Sequence, residues 1–405
     1  MEKDILEGKK IVIGITGSIA AYKIASLVSS LTKRKAQVHV IMTANATKFI
    51  SPLTFESLTG NKVHTDTFDL SPDHSIHHIT LVKNCDIFLI APATANIIGK
   101  IVHGIVDDML TSTFIAYDGI KMISPAMNCI MYENQINQDN LKLCKKYGIK
   151  VIEPSEGRLA CGDSGKGKLP EPEVLLDEII YEICYKKDLK DKKILVTAGP
   201  TQESIDPVRY ITNHSTGKMG YSIAKIAAYR GAEVILISGP VNIPPPHHVK
   251  IINVISAKDM FEAVKKESSN CDIIIKSAAV ADYKPKIYSD EKIKKKDNEL
   301  SIELERTDDI LKYLGENKKE GQILVGFSME TNNMIENSKN KLIKKNVDMI
   351  VANNLKDKGA GFGTDTNIVT LITQKNVKNL SLMSKDKVAD EIFNEILSWN
   401  INDKK

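Results

Sequence analysis

The 405-residue sequence contains no apolar run near the roughly 20 residues that a membrane-spanning helix needs. The amino-terminal stretch MEKDILEGKK is charged and lacks the apolar core of a secretory signal, so we expect a cytoplasmic protein without a membrane partner. Aromatic residues make up only 5% of the chain, and the formal net charge is +4. Such a weak positive balance gives no indication of a nucleic-acid partner.

Several cofactor and metal signatures are also missing. The six cysteines are spread along the chain without a CxxC pair, which excludes a zinc ribbon and a thioredoxin-type redox pair. Free thiols in a reducing compartment are therefore expected. The chain has neither a full GxGxxG fingerprint nor a Walker A sequence. These absences argue against a dinucleotide-binding domain and against a P-loop nucleotidase.

Short β-branched runs alternate with stretches of helical periodicity, which is typical of an α/β fold with a parallel sheet. The pattern begins twice. KKILVTAG at 192–199 resembles KKIVIG at 9–14, because each has two lysines, a mostly apolar run and then a glycine. A charged run at 184–192 separates the two sets of strands. We therefore predict two consecutive doubly wound α/β domains, at residues 1–190 and 191–405.

The first predicted domain opens with a strand, a glycine turn and a helix. Gly17 and Ser18 lie in this turn, where backbone N–H groups at a helix start suit a phosphate. Thr43 closes the second strand where an NAD ribose would need an acidic residue, which favours a mononucleotide. Thr94 and Asn96 follow the third strand; they suit contacts to a ring or phosphate, and helix capping by Thr94 explains that residue equally well.

Three side chains in this domain suggest catalysis. His78 ends a histidine cluster and suits a general base, or simply a polar loop. Asn128, in the segment PAMNCIM after a strand, suits a clamp for a carboxylate or amide. Cys161 lies in a glycine-rich loop at 160–167, where a thiol would suit a proton donor that closes over a site.

Together, Gly17-Ser18, the segment 91–96, His78, PAMNCIM and the Cys161 loop resemble the FMN-dependent phosphopantothenoylcysteine decarboxylases. The resemblance implies a flavodoxin-like domain that assembles as trimers, with FMN between subunits. It implies that His78 is the active-site base, that Asn128 binds the departing carboxylate and that Cys161 donates a proton during reduction. The FMN contacts that it implies come from Gly17, Ser18, Ile19, Thr43, Thr94, Ala95, Asn96 and Ala126.

The second predicted domain carries features that suit anions. A long polar loop presents Arg209 and Asn213 before a helix start rich in Ser, Thr and Gly. A later strand ends in SAAVADY, whose small residues let a base or sugar approach and whose Asp282 stands at the carboxyl edge of the sheet. The basic run at 291–296, which includes Lys292, is either a solvated strand or a contact to a triphosphate.

The segments DPVRYITNHSTGKMG, SAAVADY, EKIKK, GFSMET and GFGTDTN resemble the CTP-dependent phosphopantothenate–cysteine ligases. The resemblance implies a Rossmann-like CTP-binding domain in which Asn213 holds an acyl intermediate and Arg209 acts on the substrate phosphate or its activated carboxylate. Mg²⁺ or another divalent cation would neutralise the triphosphate, through ligands that the sequence does not assign. The implied CTP contacts are Lys276, Ser277, Ala278, Asp282, Lys292, Asp308, Asp309, Ile310, Leu311, Phe327, Lys341 and Lys345.

Residues 8–400 as a whole then resemble the bacterial bifunctional coenzyme A biosynthesis proteins. The resemblance implies that 4′-phosphopantothenate and L-cysteine are joined through an acyl-cytidylate, and that the product is decarboxylated to 4′-phosphopantetheine. It also implies a homo-oligomer with trimeric first domains and dimeric second domains, as in a dodecamer. The alternatives are another flavin-dependent cysteine decarboxylase and a non-catalytic flavin-binding regulatory subunit. The ligase-like second domain argues against the former and the His78, Asn128 and Cys161 set against the latter.

Overall fold

The computed structural model describes residues 4–68, 77–158, 162–294, 301–330, 333–354, 361 and 363–402. The chain forms two compact units, Met1–Tyr185 and Lys186–Lys405. In the described ranges, none of the helices combines the length and the apolar character needed to cross a lipid bilayer.

The first unit is built on a five-stranded parallel sheet. Its strands are β1 (Lys10–Ile15), β2 (Gln37–Met42), β3 (Ile87–Ala93), β4 (Ile120–Pro125) and β5 (Lys150–Val151). They pair in the order β2-β1-β3-β4-β5, which is the flavodoxin-like order and confirms the predicted doubly wound fold. Every residue of β3 is buried, as expected for a strand covered on both faces. An antiparallel hairpin follows, formed by β6 (Ser155–Arg158) and β7 (Ser164–Lys168).

Helices cover both faces of this sheet. They are α1 (Ala21–Lys33), α2 (Pro52–Thr59), α3 (His77–Thr80), α4 (Ala95–Val102), α5 (Met109–Ala116), α6 (Cys129–Glu133), α7 (Gln135–Lys146) and α8 (Pro172–Ile183). Helices α1 and α8 contact each other, as do α4 and α7. The core between the sheet and α4, α5 and α7 contains Phe88 and Phe114, whose rings meet edge to face with centroids 5.1 Å apart.

The second unit is built on an eight-stranded sheet. Its strands are β8 (Lys193–Ala198), β11 (Glu233–Ser238), β12 (Val249–Asn253), β13 (Ile273–Lys276), β16 (Ile323–Glu330), β17 (Met349–Asn354), β19 (Val369–Thr373) and β20 (Val377–Asn379). They pair in the order β12-β11-β8-β13-β16-β17-β19-β20. The first six are mutually parallel, whereas β19 and β20 add an antiparallel edge.

Smaller strand pairs and helices complete this unit. The strand pairs are β9 (Gln202–Ser204) with β10 (Tyr210–Thr212), β14 (Tyr283–Pro285) with β15 (Leu304–Arg306), and β18 (Thr366–Asn367) with β21 (Met383–Ser384). The helices are α9 (Lys218–Tyr229), α10 (Ala257–Glu267), α11 (Ile310–Glu316), α12 (Met334–Lys344) and α13 (Lys385–Asn402). A core of Ile274, Leu324, Ile350 and their neighbours lies between the sheet and α10, α11 and α12.

Candidate active sites

The turn after β1 is tightly packed against the turn after β2. A Cβ atom added to Gly17 would lie 2.6 Å from the Cβ of Asn45, so only glycine fits there. The backbone N–H of Thr43 donates to the carbonyl of Ile15 at 3.1 Å. The backbone N–H of Ser18 donates to the carbonyl of Thr16 at 2.8 Å, and α1 begins three residues later. Gly17, Ser18 and Thr43 thus lie together at the carboxyl edge of β1 and β2.

The end of β3 joins the same edge. The Thr16 hydroxyl donates to the carbonyl of Pro92 at 2.6 Å and accepts from the backbone N–H of Thr94 at 3.1 Å. The Thr94 hydroxyl caps α4 by accepting from the backbone N–H of Ile97 at 3.5 Å. Ala95 and Asn96 form the first turn of that helix, and Asn96 is exposed. Helix capping explains the position of the Thr94 hydroxyl. The exposed side chain of Asn96, in the first turn of α4, is accessible to a ligand.

A pocket of about 590 Å³ opens beside the start of α1 and the segment after β4. Its lining is Ser18, Ile19, Ala20, Tyr22, Lys23, Ala126, Met127, Asn128, Arg158, Gly167, Lys168 and Leu169. The structure therefore brings together four of the predicted residues, Ser18, Ile19, Ala126 and Asn128. The predicted residues outside this lining are Gly17, Thr43, Thr94, Ala95 and Asn96. The cations Lys23, Arg158 and Lys168 come from separate elements, and sequence spacing gave no reason to group them.

The hairpin β6–β7 closes one side of this pocket. Gly167 has a φ of +139°, and a Cβ atom there would lie 2.3 Å from the carbonyl oxygen of Met127. The backbone N–H of Met127 donates to the carbonyl of Gly167 at 3.0 Å. Asn128 caps α6 through a bond from the Ile130 backbone N–H to its Oδ1 at 2.8 Å, and its Nδ2 donates to Asp163 Oδ2 at 3.0 Å. The Asn128 amide, which is predicted to bind the substrate carboxylate, is therefore already held in place by the Asp163 carboxylate.

Ser124, near the end of β4, has a buried hydroxyl. It lies two residues before Ala126, is completely buried and is not among the residues that line the pocket. Its hydroxyl has no hydrogen-bond partner among the described residues. Since buried polar groups are almost always hydrogen-bonded, an enclosed water molecule would satisfy this hydroxyl. No local pattern singles out this residue, because a serine at a strand end is common.

The remaining catalytic predictions of this unit are placed only in part. His78 lies in the short helix α3 and is partly buried; it is not among the residues that line the 590 Å³ pocket. Cys161 lies outside the described residues, as does His74 of the histidine cluster. Four other cysteines have thiols whose pKa is raised by burial, which disfavours the reactive thiolate. These are Cys85, Cys144, Cys184 and Cys271.

In the second unit, a pocket of about 680 Å³ opens at the carboxyl ends of β13 and β16. Its lining is Lys276, Val280, Asp282, Tyr283, Arg306, Thr307, Asp308, Asp309, Ile310, Leu311, Lys312, Phe327, Lys341, Lys344 and Lys345. Most of the residues predicted to contact CTP are therefore in one place. Ser277 and Ala278 line an adjoining pocket of about 210 Å³ that shares Phe327. Lys292 lines neither pocket and is exposed. Arg306, Lys312 and Lys344 are lining cations that were not predicted from the sequence.

Lysines and acids fix the walls of the larger pocket. Asp309 caps α11 by accepting from the backbone N–H of Lys312 at 2.9 Å, and its other oxygen pairs with Lys345. Although burial opposes the shift, the hydrogen bond from Lys345 lowers the pKa of Asp309. The ammonium of Lys341 donates to the carbonyl of Phe327 at 3.2 Å. That of Lys276 donates to the carbonyl of Ala278 at 3.1 Å.

The predicted polar loop is held together by Asp206. This buried carboxylate accepts from the backbone N–H groups of Val208 and Arg209, both at 2.8 Å, and from Nε of Arg209 at 3.0 Å. Its second oxygen also accepts from the backbone N–H of Ile293 at 3.1 Å, and Arg209 donates to the Ile293 carbonyl at 2.9 Å. The Arg209 hydrogen bond holds the pKa of Asp206 far below its usual value. Arg209 is thus joined to the segment that carries Lys292.

Asn213 and the smaller pocket both contact the loop after β13. The side-chain amide of Asn213 donates to the carbonyl of Ala279 at 3.0 Å. The smaller pocket includes the start of α9 at Gly217 and Lys218, together with the buried Lys385. Within the described ranges, no three His, Cys, Asp or Glu side chains form a metal-binding group.

Comparisons with known proteins cover both units. The family model described as Flavoprotein matches residues 1–184, and the model described as DNA/pantothenate metabolism flavoprotein C-terminal domain matches residues 189–399. The Coenzyme A biosynthesis bifunctional protein CoaBC of Bacillus subtilis (strain 168) is 48% identical over 97% of this chain and 97% of its own length. The protein of the same name from Borreliella burgdorferi is 45% identical over 96% of this chain and 98% of its own. A crystal structure of the C-terminal domain of a protein with this name matches 54% of this chain and 100% of its own, with 47% identity and a TM-score of 0.47.

Proposed function

Since this chain belongs to the bifunctional coenzyme A biosynthesis protein family, we propose that residues 191–405 join 4′-phosphopantothenate to L-cysteine and that residues 1–190 decarboxylate the product to 4′-phosphopantetheine. The observation that carries this proposal is that both family models match in sequence order and that the relatives are similar over almost the whole chain. A lone flavin-binding regulatory subunit would not need the lysine-rich pocket of the second unit.

FMN fits the edge of the first sheet. The glycine turn at Gly17 offers backbone N–H groups to a phosphate, and the mixed apolar and cationic lining of the pocket suits a flavin ring. FMN bound here would supply the redox chemistry that makes the substrate's thiol-bearing carbon an electron sink for the departing carboxylate. The residues that hold it are Gly17, Ser18, Ile19, Thr43, Thr94, Ala95, Asn96 and Ala126.

The protein's own side chains then perform the proton and carboxylate steps. His78 takes the proton that the substrate must lose, because an imidazole nitrogen can accept a proton. Asn128 donates to the substrate carboxylate and orients it for loss as CO₂, and the bond to Asp163 keeps the amide in that orientation. Cys161 donates the proton that completes the product thiol side chain.

In the second unit, the carboxylate of 4′-phosphopantothenate attacks the α-phosphorus of CTP and pyrophosphate leaves. Lysines are physically suited to this step because they attract and neutralise phosphate charge. Lys341 and Lys345 line the pocket, Lys276 contacts CTP through its backbone, and Lys292 stands on the neighbouring segment that Arg209 holds in place. Asn213 retains the acyl-cytidylate until cysteine displaces CMP. Mg²⁺ would be held mainly by phosphate oxygens, with few direct protein ligands.

Exposed apolar side chains support a homo-oligomer. Ile19 is 54% and Tyr22 60% exposed at the rim of the first pocket, and Ile130 on the adjacent α6 is 74% exposed. Apolar groups clustered beside a ligand site are typical of a subunit interface. We propose trimers through the first unit and dimers through the second, as in a dodecamer. The cytoplasm suits this assembly, because a reducing compartment keeps cysteines as free thiols.

The proposal is tested by mixing the purified protein with 4′-phosphopantothenate, cysteine, CTP and Mg²⁺. We expect release of pyrophosphate, CMP and CO₂, and none of these when CTP is omitted. Extraction of the protein should yield FMN, identified by its absorption spectrum and mass. A flavin spectrum without any turnover would support a binding subunit. CO₂ release from cysteine peptides without CMP formation would support another cysteine decarboxylase.

A further inference from the structure

Lys276 occupies an unusual place for a lysine. It is the last residue of β13, where it is paired in register with Gly326 of β16 and Thr197 of β8. Because side chains alternate along a strand, it projects to the same face as Ile274, which belongs to the apolar core under α10, α11 and α12. Its remaining surface lines the 680 Å³ pocket. The amine therefore lies between an apolar core and the proposed nucleotide site.

The amine contacts the same loop as the group proposed to hold the acyl intermediate. Lys276 Nζ donates to the carbonyl of Ala278 at 3.1 Å, and Asn213 Nδ2 donates to the carbonyl of Ala279 at 3.0 Å. The two carbonyls belong to consecutive residues of one loop. This loop therefore fixes the position of the Lys276 amine relative to the Asn213 amide.

The charged groups around Lys276 come from three elements. Lys341 projects from α12, Asp282 lies in the loop after β13, and Asp309 caps α11, where Lys345 of the turn after α12 neutralises it. Burial, followed by the charge of Lys341, lowers the pKa of Lys276 to about 8, against the opposing effects of Asp282 and Asp309. A substantial fraction of this lysine is therefore a neutral amine near physiological pH, with a lone pair that can accept a proton.

The second ligation step needs such an acceptor. The α-amino group of free cysteine carries a proton at neutral pH, and an ammonium group has no lone pair with which to attack a carbonyl. The proton must be removed before or during formation of the amide.

We propose that Lys276 is the general base that accepts this proton, a role that rests on the proposed ligase function. The neutral Nζ takes one proton from the α-ammonium of cysteine, and the freed nitrogen lone pair forms a bond to the acyl carbon. The second proton that the nitrogen loses as the amide forms passes to solvent. The acyl C–O bond to the nucleotide breaks, and its electron pair stays on the phosphate oxygen of CMP. Lys276 becomes an ammonium group and later returns the proton to solvent. The Ala278 carbonyl orients the amine by accepting one of its N–H groups.

The test separates proton removal from the chemistry of the acyl group. The full-length protein is first given CTP, Mg²⁺ and 4′-phosphopantothenate, and the acyl-cytidylate that forms is then mixed rapidly with cysteine or with hydroxylamine. Hydroxylamine is uncharged at neutral pH and needs no base. For Lys276→Met and Lys276→Arg, we expect transfer to cysteine to fall about 100-fold while hydroxamate formation stays near the wild-type rate. Lys265→Arg, at an exposed position on α10, is the control and should match the wild type in both.

The pH dependence provides a second readout. In the wild type, the cysteine-transfer rate should rise with pH and level off above about pH 8, and this inflection should be missing from both Lys276 variants. A wild-type rate of acyl transfer to cysteine in Lys276→Met or in Lys276→Arg would overturn the inference. Loss of hydroxamate formation together with loss of cysteine transfer would also overturn it. A wild-type protein that forms no hydroxamate would instead refute the proposed ligase function.

Discussion

Asn128 and Asp163 are joined by a hydrogen bond of 3.0 Å across 35 residues of the chain. Asn128 follows β4, whereas Asp163 immediately precedes β7 and stands two residues after Cys161. The bond therefore ties the proposed carboxylate-binding amide to the loop that carries the proposed proton donor. Both groups act on the same substrate in our account, so this contact is expected to position them relative to each other.

Removing the Asp163 carboxylate should slow decarboxylation. In Asp163→Ala, the amide of Asn128 loses a charge-assisted hydrogen bond, and we expect kcat for CO₂ release to fall about 5- to 20-fold. Flavin content and pyrophosphate release should stay at wild-type levels. The control is Asp139→Ala on α7, whose exposed carboxylate pairs with Lys142 and lies outside the pocket lining. Equal CO₂ rates in the two variants would show that the Asn128–Asp163 bond has no positioning role.

A methyl group at Gly17 should prevent flavin binding. In Gly17→Ala the new Cβ would lie 2.6 Å from the Cβ of Asn45, so the turn must shift. Overpacking of this kind costs about 1–3 kcal/mol, which would weaken FMN binding roughly 10- to 100-fold. The measurement is the flavin absorbance of the purified variant, titrated with FMN.

Gly99→Ala is the matched control for Gly17→Ala. Gly99 lies within α4, and the nearest atom to an added Cβ is Asn140 Nδ2 at 3.8 Å. This variant should retain flavin. Wild-type FMN affinity in Gly17→Ala would exclude the turn after β1 from the cofactor site.

Lys292 should matter for the first ligation step although it lies outside both pockets of the second unit. The backbone of its neighbour Ile293 is fixed by Asp206 and Arg209, so Lys292 is held near the polar loop. Loss of a charge-assisted contact to phosphate costs about 1.5–3 kcal/mol, and Lys292→Gln should reduce pyrophosphate release roughly 10- to 100-fold. Lys294→Gln, an exposed neighbour, is the control. A wild-type rate of pyrophosphate release in Lys292→Gln would favour a merely solvated basic segment.

Asp206 should stabilise the second unit in a pH-dependent way. The pKa of this carboxylate is lowered in the folded state, chiefly by Arg209, from an ordinary value of 3.8. The folded state therefore favours the charged form. The stabilisation is present above pH 3.8 and is lost as pH falls through the much lower folded-state pKa. The difference between the urea midpoints of wild type and Asp206→Asn should be largest above pH 5 and should already be smaller at pH 3. A difference that is constant across this range would contradict the linkage.

Part of the fold and of the sites followed from local sequence patterns. The parallel strands were predictable because each is a short, continuous apolar run, as in Ile11 to Ile15. Predicted residues such as Lys276, Asp309 and Phe327 line one pocket because parallel strands end at the same edge of a sheet. The antiparallel edge formed by β19 and β20 was not predicted, since a short apolar run does not reveal the direction in which it pairs.

Other features depend on distant contacts that no local pattern reports. Arg306 reaches the 680 Å³ pocket because β15 pairs with β14, although β15 lies far along the chain from the loop after β13. The Asn128–Asp163 bond depends on how the hairpin β6–β7 folds back on Met127. The orphaned hydroxyl of Ser124 is visible only once its burial is known. Side-chain pairing of this kind is a property of tertiary packing rather than of residue spacing.

The most direct test of two independent active sites on one chain is the product that His78→Asn makes. This variant, mixed with 4′-phosphopantothenate, cysteine, CTP and Mg²⁺, should accumulate phosphopantothenoylcysteine at the wild-type rate and form no 4′-phosphopantetheine, as read by mass spectrometry. His103→Asn, at an exposed histidine after α4, should carry the reaction to 4′-phosphopantetheine like the wild type. Loss of phosphopantothenoylcysteine formation in His78→Asn, or continued formation of 4′-phosphopantetheine, would contradict the account.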